Sequence, residues 1–314
     1  LANSTFQHFA PKRDGEFWQS ISFQCVDVIT SALKMKSSMT SNNRKTEPIP
    51  GCDIPFLNET TMKNMLTLAA LTLAAASVAQ AAPSSKSTAA LLAADKSCNG
   101  LPTHAEFKEA LQAAQKKNNA GLGLNMWGAV VNRAGVVCAV AFTGDTWGDQ
   151  WPASRIIAAQ KASTSNNFSL PKLAMATANL YSIAQPGGFA FGIQEANPVV
   201  PERVYAGPSA YWGQVNDPMV GERVGGLNVF GGGLPLYNAK GELLGALGTS
   251  GDSSCADHII SWRTRSTLKL DYVPAGLGPN GVDQIAFSGP WSQPVCGDLK
   301  AHEEVVNSLP RTRK

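Results

Sequence analysis

Two stretches of this chain fold back on themselves, and together they leave few architectures open. Residues 126–142, "MWGAVVNRAGVVCAVAF", hold two β-branched or apolar runs around Asn132-Arg133-Ala134-Gly135, with glycine where a hairpin turn needs a left-handed residue. Residues 228–251, "NVFGGGLPLYNAKGELLGALGTSG", repeat the pattern around Asn238-Ala239-Lys240-Gly241. A short turn joins antiparallel strands, whereas parallel strands need a crossover of about a dozen residues or more. Neither hairpin buries its apolar face alone, so both are expected in one antiparallel sheet.

The segments between the hairpins read as helices. In "LPTHAEFKEALQAAQKKNNAG", Thr103 stands three residues ahead of Glu106 as a capping box, and Phe107, Leu111 and Ala114 recur at helical spacing. "PASRIIAAQKASTSNNFS" is expected to open a helix at Pro152, and "LPKLAMATANLYSIAQPGG" a second at Pro171 that ends at Gly187-Gly188. Residues 257–269 are helix-compatible. The order helix, hairpin, two helices, hairpin, helix gives an α+β sandwich, a central antiparallel sheet flanked by helices. Residues 189–224, rich in Pro, Gly and aromatics, are too long for an ordinary connection and read as an ordered insertion packed by Tyr205, Tyr211 and Trp212. Residues 101–270 thus form one domain, with an irregular tail over 271–314.

Upstream, Met62 opens "MKNMLTLAALTLAAASVAQAAPSS", a short basic start, an apolar run from Met65 to Val78 and the small-residue site Ala79-Gln80-Ala81. That is the pattern of a secretory signal peptide over 62–81, and its run of 14 residues is too short to span a bilayer. A periplasmic or secreted protein starting near Ala82, with no stable membrane insertion after cleavage, is expected. Residues 82–100 read as a flexible lead-in, and residues 1–61, polar and without apolar periodicity, as a segment outside the functional protein. From residue 82 onward nineteen basic and seventeen acidic residues, with no basic block, leave no electrostatic footprint for nucleic acid. Export places Cys98, Cys138, Cys255 and Cys296 where disulfides persist, and their spacing excludes a zinc ribbon or a CxxC redox motif. A Cys255–Cys296 bridge would tie down the tail. Cys138, placed on the face of Val136 and Val140, is then either a buried thiol or a partner for Cys98.

The set "AVVNRAGVVCAV", "SRIIAAQKASTSNNFS", "GGGLPLYNAKGELLGALGTSG" and "CADHIISW", in this order, resembles the GlcG/HbpS family of haem-binding proteins, which includes the PduO C-terminal domain. The matching positions are Lys161-Ala162, Gly232-Gly233-Leu234-Pro235, Gly241 through Gly251, and Asp257, across roughly residues 103–265. The chain departs at Asn132, where the family commonly has Asp, and in the 189–224 insertion. The resemblance implies a profilin-like fold, haem binding with haem degradation in some members, and a homo-oligomer. It supplies no axial ligand, because ligation is not tied to one residue across the family.

From the residues themselves, the loop Gly248 to Ser254 follows a strand and precedes a helix. Its amides and hydroxyls, Thr249, Ser250 and Gly251 among them, would either face an anionic group such as a propionate or simply cap the helix. Asp257 and His258 follow, diverging by about 100 degrees on the helix. His258 would either ligate haem iron or sit as a hydrogen-bonded imidazole. Lys161 and Arg155 share no helical face cleanly, yet would flank a carboxylate from two angles. Trp147, Trp151, Tyr205, Tyr211 and Trp212 would wall a flat ligand or pack the insertion. No GxSxG elbow, Walker loop or HExxH motif is present. The leading expectation is an exported haem-binding protein with peroxide-dependent haem degradation; the alternative is a periplasmic sensor or accessory module for a small anionic ligand, without catalysis.

Overall fold

The computed structural model describes residues 97–314. The expected signal peptide and most of the lead-in lie outside the described residues. Helix α1 (His104–Gln115) begins at the Thr103/Glu106 capping box. Strands β1 (Trp127–Asn132) and β2 (Val137–Phe142) form the first hairpin, turning at Gly135 with φ 76°. Helices α2 (Ser154–Phe168), α3 (Thr177–Ala184) and the single turn α4 (Pro201–Val204) follow. The second hairpin is β3 (Gly233–Tyr237) and β4 (Leu243–Ser250), and α5 (Ser254–Thr267) and α6 (Leu299–Asn307) complete the chain.

Both hairpins lie in one four-stranded antiparallel sheet of order β2-β1-β4-β3, joined where β1 pairs with β4 from Trp127↔Ser250 to Asn132↔Gly245. Helices cover both faces, the α+β sandwich expected. Phe107 and Leu111 of α1 and Ile259 and Ile260 of α5 share one core with Val130 and Leu247. On the opposite face Ala158, Ala159 and Ala162 of α2 pack with Trp127, Ala129, Val131 and Ala246. Alanines and glycines bring α2 unusually near the sheet: a Cβ on Gly248 would lie 2.2 Å from the Ala158 carbonyl oxygen and 2.4 Å from the Ala162 nitrogen.

Three expectations are corrected. Helix α3 starts at Thr177, not at Pro171, because Leu170 and Leu173 exchange backbone hydrogen bonds in a tight turn and the Ala174 N–H is drawn to the Ala275 carbonyl. The tail is not wholly irregular. Asp298 caps α6 by accepting from the Lys300 and Ala301 N–H groups, and Val305, Val306 and Leu309 bury against α5 and its neighbours. Cys138 does not share a face with Val140. The β1–β2 register steps from Val130↔Ala139 to Val131↔Val137, so Cys138 is the extra residue of a bulge, turned toward a disulfide with Cys98. The Cys255–Cys296 bridge is present as expected.

The 189–224 insertion is ordered against the sheet. Its end continues the β2 edge, with Val137 N–H bonded to the Glu222 carbonyl and Gly221 N–H to the Val137 carbonyl. Val204, Met219 and Val224 enter the α2-side core, and Trp212 packs with Trp147 and Tyr205. Tyr211 is exposed and contributes no core packing. Gly248→Ala is expected to cost about 1–3 kcal/mol by overpacking against the α2 backbone; urea denaturation measures it, with Gly241→Asn at the second turn as the tolerated control.

Candidate functional site

The family-like motifs meet at one buried point. Lys161, from α2 on one face of the sheet, reaches Asp257, from the first turn of α5 on the other, at 2.7 Å between Nζ and Oδ2. Both side chains are 2% exposed. The Lys161 ammonium also donates to the Thr249 carbonyl at 3.3 Å, and the Thr249 hydroxyl donates to the Asp257 carbonyl at 2.9 Å. The triple glycine ahead of β3 closes over this pair. Gly232 has φ 125°, and a Cβ there would fall 2.4 Å from the Thr249 carbonyl oxygen and 3.0 Å from the Lys161 ammonium. Only glycine fits such a backbone at such a distance.

The loop after β4 does receive an anion, but an internal one. The Asp252 N–H donates to Asp257 Oδ1 at 3.0 Å, while Asp252 itself accepts from the N–H groups of Leu122, Leu124 and Ser253. Ser253 caps α5 by accepting from the Ala256 N–H. Burial pushes the Asp257 carboxyl up to about 6, against the pull of the Lys161 ammonium and the Asp252 amide.

The other candidates stand apart. Arg155 is 1% exposed and makes a bidentate pair with Asp217 of the insertion, at 2.6 and 2.7 Å. Its guanidinium lies between the Trp127 and Trp212 rings, so it does not converge with Lys161 on one carboxylate. Ser250 and Gly251 are buried beside the hub, Ser250 opposite Trp127 in the ladder. His258 is fully buried under the chain over 283–296, and its Nε2 accepts the Ile285 N–H at 3.1 Å. Nδ1 has no hydrogen-bond partner among the described residues. Burial, with the Arg265 and Lys161 charges, pushes His258 down to about 3, so the ring is neutral. That covering segment is pinned by the buried Arg265–Asp283 pair and by the Cys255–Cys296 bridge. Neither Asp217 nor Asp283 was legible as a partner, because each lies in an irregular stretch with no periodicity to place it.

Space for a ligand lies next to this hub. A cavity of about 610 Å³ is walled by Leu180 and Ile183 of α3, Phe168 at the end of α2, Met175, and Trp291 of the covering segment. Its rim carries Phe189 and Phe191, 81% and 65% exposed. The hub fixes one wall: the Gly233 N–H donates to the hydroxyl of Thr177, the first residue of α3. Among the described residues no group of three or more His, Cys, Asp or Glu is placed to hold a metal ion, and no helix is long and apolar enough to cross a membrane.

A two-faced α+β sandwich with a buried ion pair between its helical layers and an apolar cavity beside it defines the class. The model of the HbpS-like family, described as haem-degrading protein HbpS-like, matches residues 103–263, just over half of the chain, and the chain belongs to that family. Among solved structures it is similar to a PduOC–haem complex, at 20% identity and TM-score 0.36 over 52% of this chain and 88% of that one. It is similar also to the Klebsiella pneumoniae protein ORFY, at 20% identity and TM-score 0.36 over 53% and 90%. No curated protein matches.

Lys161→Met leaves Asp257 buried without its cation and is expected to cost about 3–5 kcal/mol in urea unfolding, much of it recovered by Lys161→Met with Asp257→Leu. The pH dependence has a defined sign. His258 contributes stability above its unfolded value of 6.5 that is lost as pH falls toward about 3. Asp257, raised from 3.8 to about 6, works in the opposite sense, losing stability as pH rises through 6. The stability advantage of wild type over His258→Gln is therefore expected to shrink between pH 7 and 4, measured by urea midpoints at each pH.

Proposed function

We propose that this protein binds haem in the apolar cavity between α3, the 189–196 stretch and Trp291. Membership of the HbpS-like family supports haem as the ligand, and the single observation that carries the location is the cavity itself. Its volume lies within the range of small-molecule and cofactor sites, and its wall is almost wholly aliphatic and aromatic, which fits the flat porphyrin body. Phe189 packs edge-on to Trp291 at 6.1 Å between ring centres, closing one side of the space. The open rim, with Phe189 and Phe191 exposed, would leave the haem propionates to water.

Lys161, Asp257, Thr249, Ser250 and Gly251 act in this reading behind the wall, holding α3 in place through Gly233 and Thr177, and Arg155 holds the insertion through Asp217. When bound, haem supplies the iron whose reaction with peroxide consumes the ring; the chain's own part is to seat the ring and limit water around it. His258, whose Nδ1 has no partner among the described residues, would reach the iron only if the segment over 283–296, and the Trp291 wall with it, moved away. The signal-peptide pattern at 62–81 and the two disulfides support an exported protein.

Titration of the purified protein with hemin is expected to give a saturable, shifted Soret band. Phe191→Asp, which alters only the exposed rim, is expected to weaken binding about tenfold, equivalent to about 1.4 kcal/mol, while His104→Ala leaves it unchanged. Peroxide is expected to bleach the bound Soret band at a rate different from that of free hemin. An unshifted, non-saturating spectrum would leave the protein without this function.

A further inference from the structure

The cavity offers iron very little. Among the described residues that line it, phenylalanine, leucine, isoleucine, alanine and glycine have no side-chain donor atom, and the Trp291 indole N–H gives a proton but accepts no metal. Met175 is the exception. Its thioether sulfur is soft and polarisable, and thioethers serve as axial ligands to haem iron.

The chain holds this methionine with unusual care. The Ser165 hydroxyl donates to the Met175 carbonyl at 2.8 Å, and the Met175 N–H donates to Ser169 Oγ at 3.0 Å. Both serines are fully buried, one in the last turn of α2 and the other just beyond it. The preceding Ala174 N–H is bound to the Ala275 carbonyl at 2.7 Å. The Met175 backbone is thus fixed on both sides, and its side chain lines the cavity from a fixed root.

We infer that Met175 is the protein ligand to the haem iron, an assignment that rests on haem occupying this cavity. Its test uses the purified wild-type protein, Met175→Leu, Met175→His and His258→Ala, each titrated with hemin and followed by absorption and magnetic circular dichroism in ferric and ferrous states. Wild type is expected to show a thioether-to-iron charge-transfer band. Met175→Leu, which nearly preserves volume, is expected to keep saturable hemin binding and lose that band, and Met175→His to replace it with an imidazole-ligated spectrum. Hemin binding by Met175→Leu with an unchanged spectrum overturns the assignment, and so does loss of the band in His258→Ala with the band retained in Met175→Leu. No saturable binding of hemin by wild type removes the haem reading itself, and the ligand assignment with it.

Discussion

The Lys161–Asp257 ion pair is the contact on which the rest of the fold converges. It joins α2 on one face of the sheet to α5 on the other, and it does so in an interior where either charge alone would be expensive. Everything around it is arranged to complete its hydrogen bonds: the Thr249 carbonyl for the ammonium, the Asp252 amide for the carboxylate, and a glycine backbone close enough to exclude water. Geometry this demanding explains why so many small residues recur at fixed places. Gly232, Gly248 and Gly251 each stand where a Cβ would collide with a neighbouring backbone.

The sheet and its helices were legible because their signals are local. A capping box, a turn glycine and a run of alternating residues each act within a few positions, and α1, both hairpins and α5 lie where those signals put them. The site was legible only in part. The sequence brought Lys161, Asp257 and Thr249 to notice as motif residues, yet it gave no means of telling that their charges satisfy one another rather than a ligand. That distinction depends on a contact 96 residues apart. His258 illustrates the same limit, since its surroundings are built by the segment around Ile285, an irregular stretch whose path follows from Arg265–Asp283 and a disulfide. The cavity escaped notice altogether, because its wall is assembled from α3, the insertion and the C-terminal segment, none of which shows an amphipathic pattern aimed at a ligand.

Buried arginines extend the logic of the hub outward. Arg155–Asp217 holds the insertion to α2, and Arg265–Asp283 holds the C-terminal segment to α5, each as a bidentate pair at zero side-chain exposure. Planar forks suit this task, since two parallel hydrogen bonds fix orientation as well as distance. The insertion and the C-terminal segment therefore owe their positions to two aspartates more than to apolar periodicity.

The two disulfides give the fold a dependence on place and time. They close loops of 40 and 41 residues, each contributing on the order of 4 kcal/mol by restricting the unfolded chain. Their sum is comparable to the whole net stability of an ordinary domain, roughly 5–15 kcal/mol. In a reducing environment the chain lacks that contribution, so much of the stability of the fold depends on where its cysteines are oxidised. Once both bridges have formed, the unfolded chain is held in two closed loops, and reopening the fold starts from a smaller ensemble.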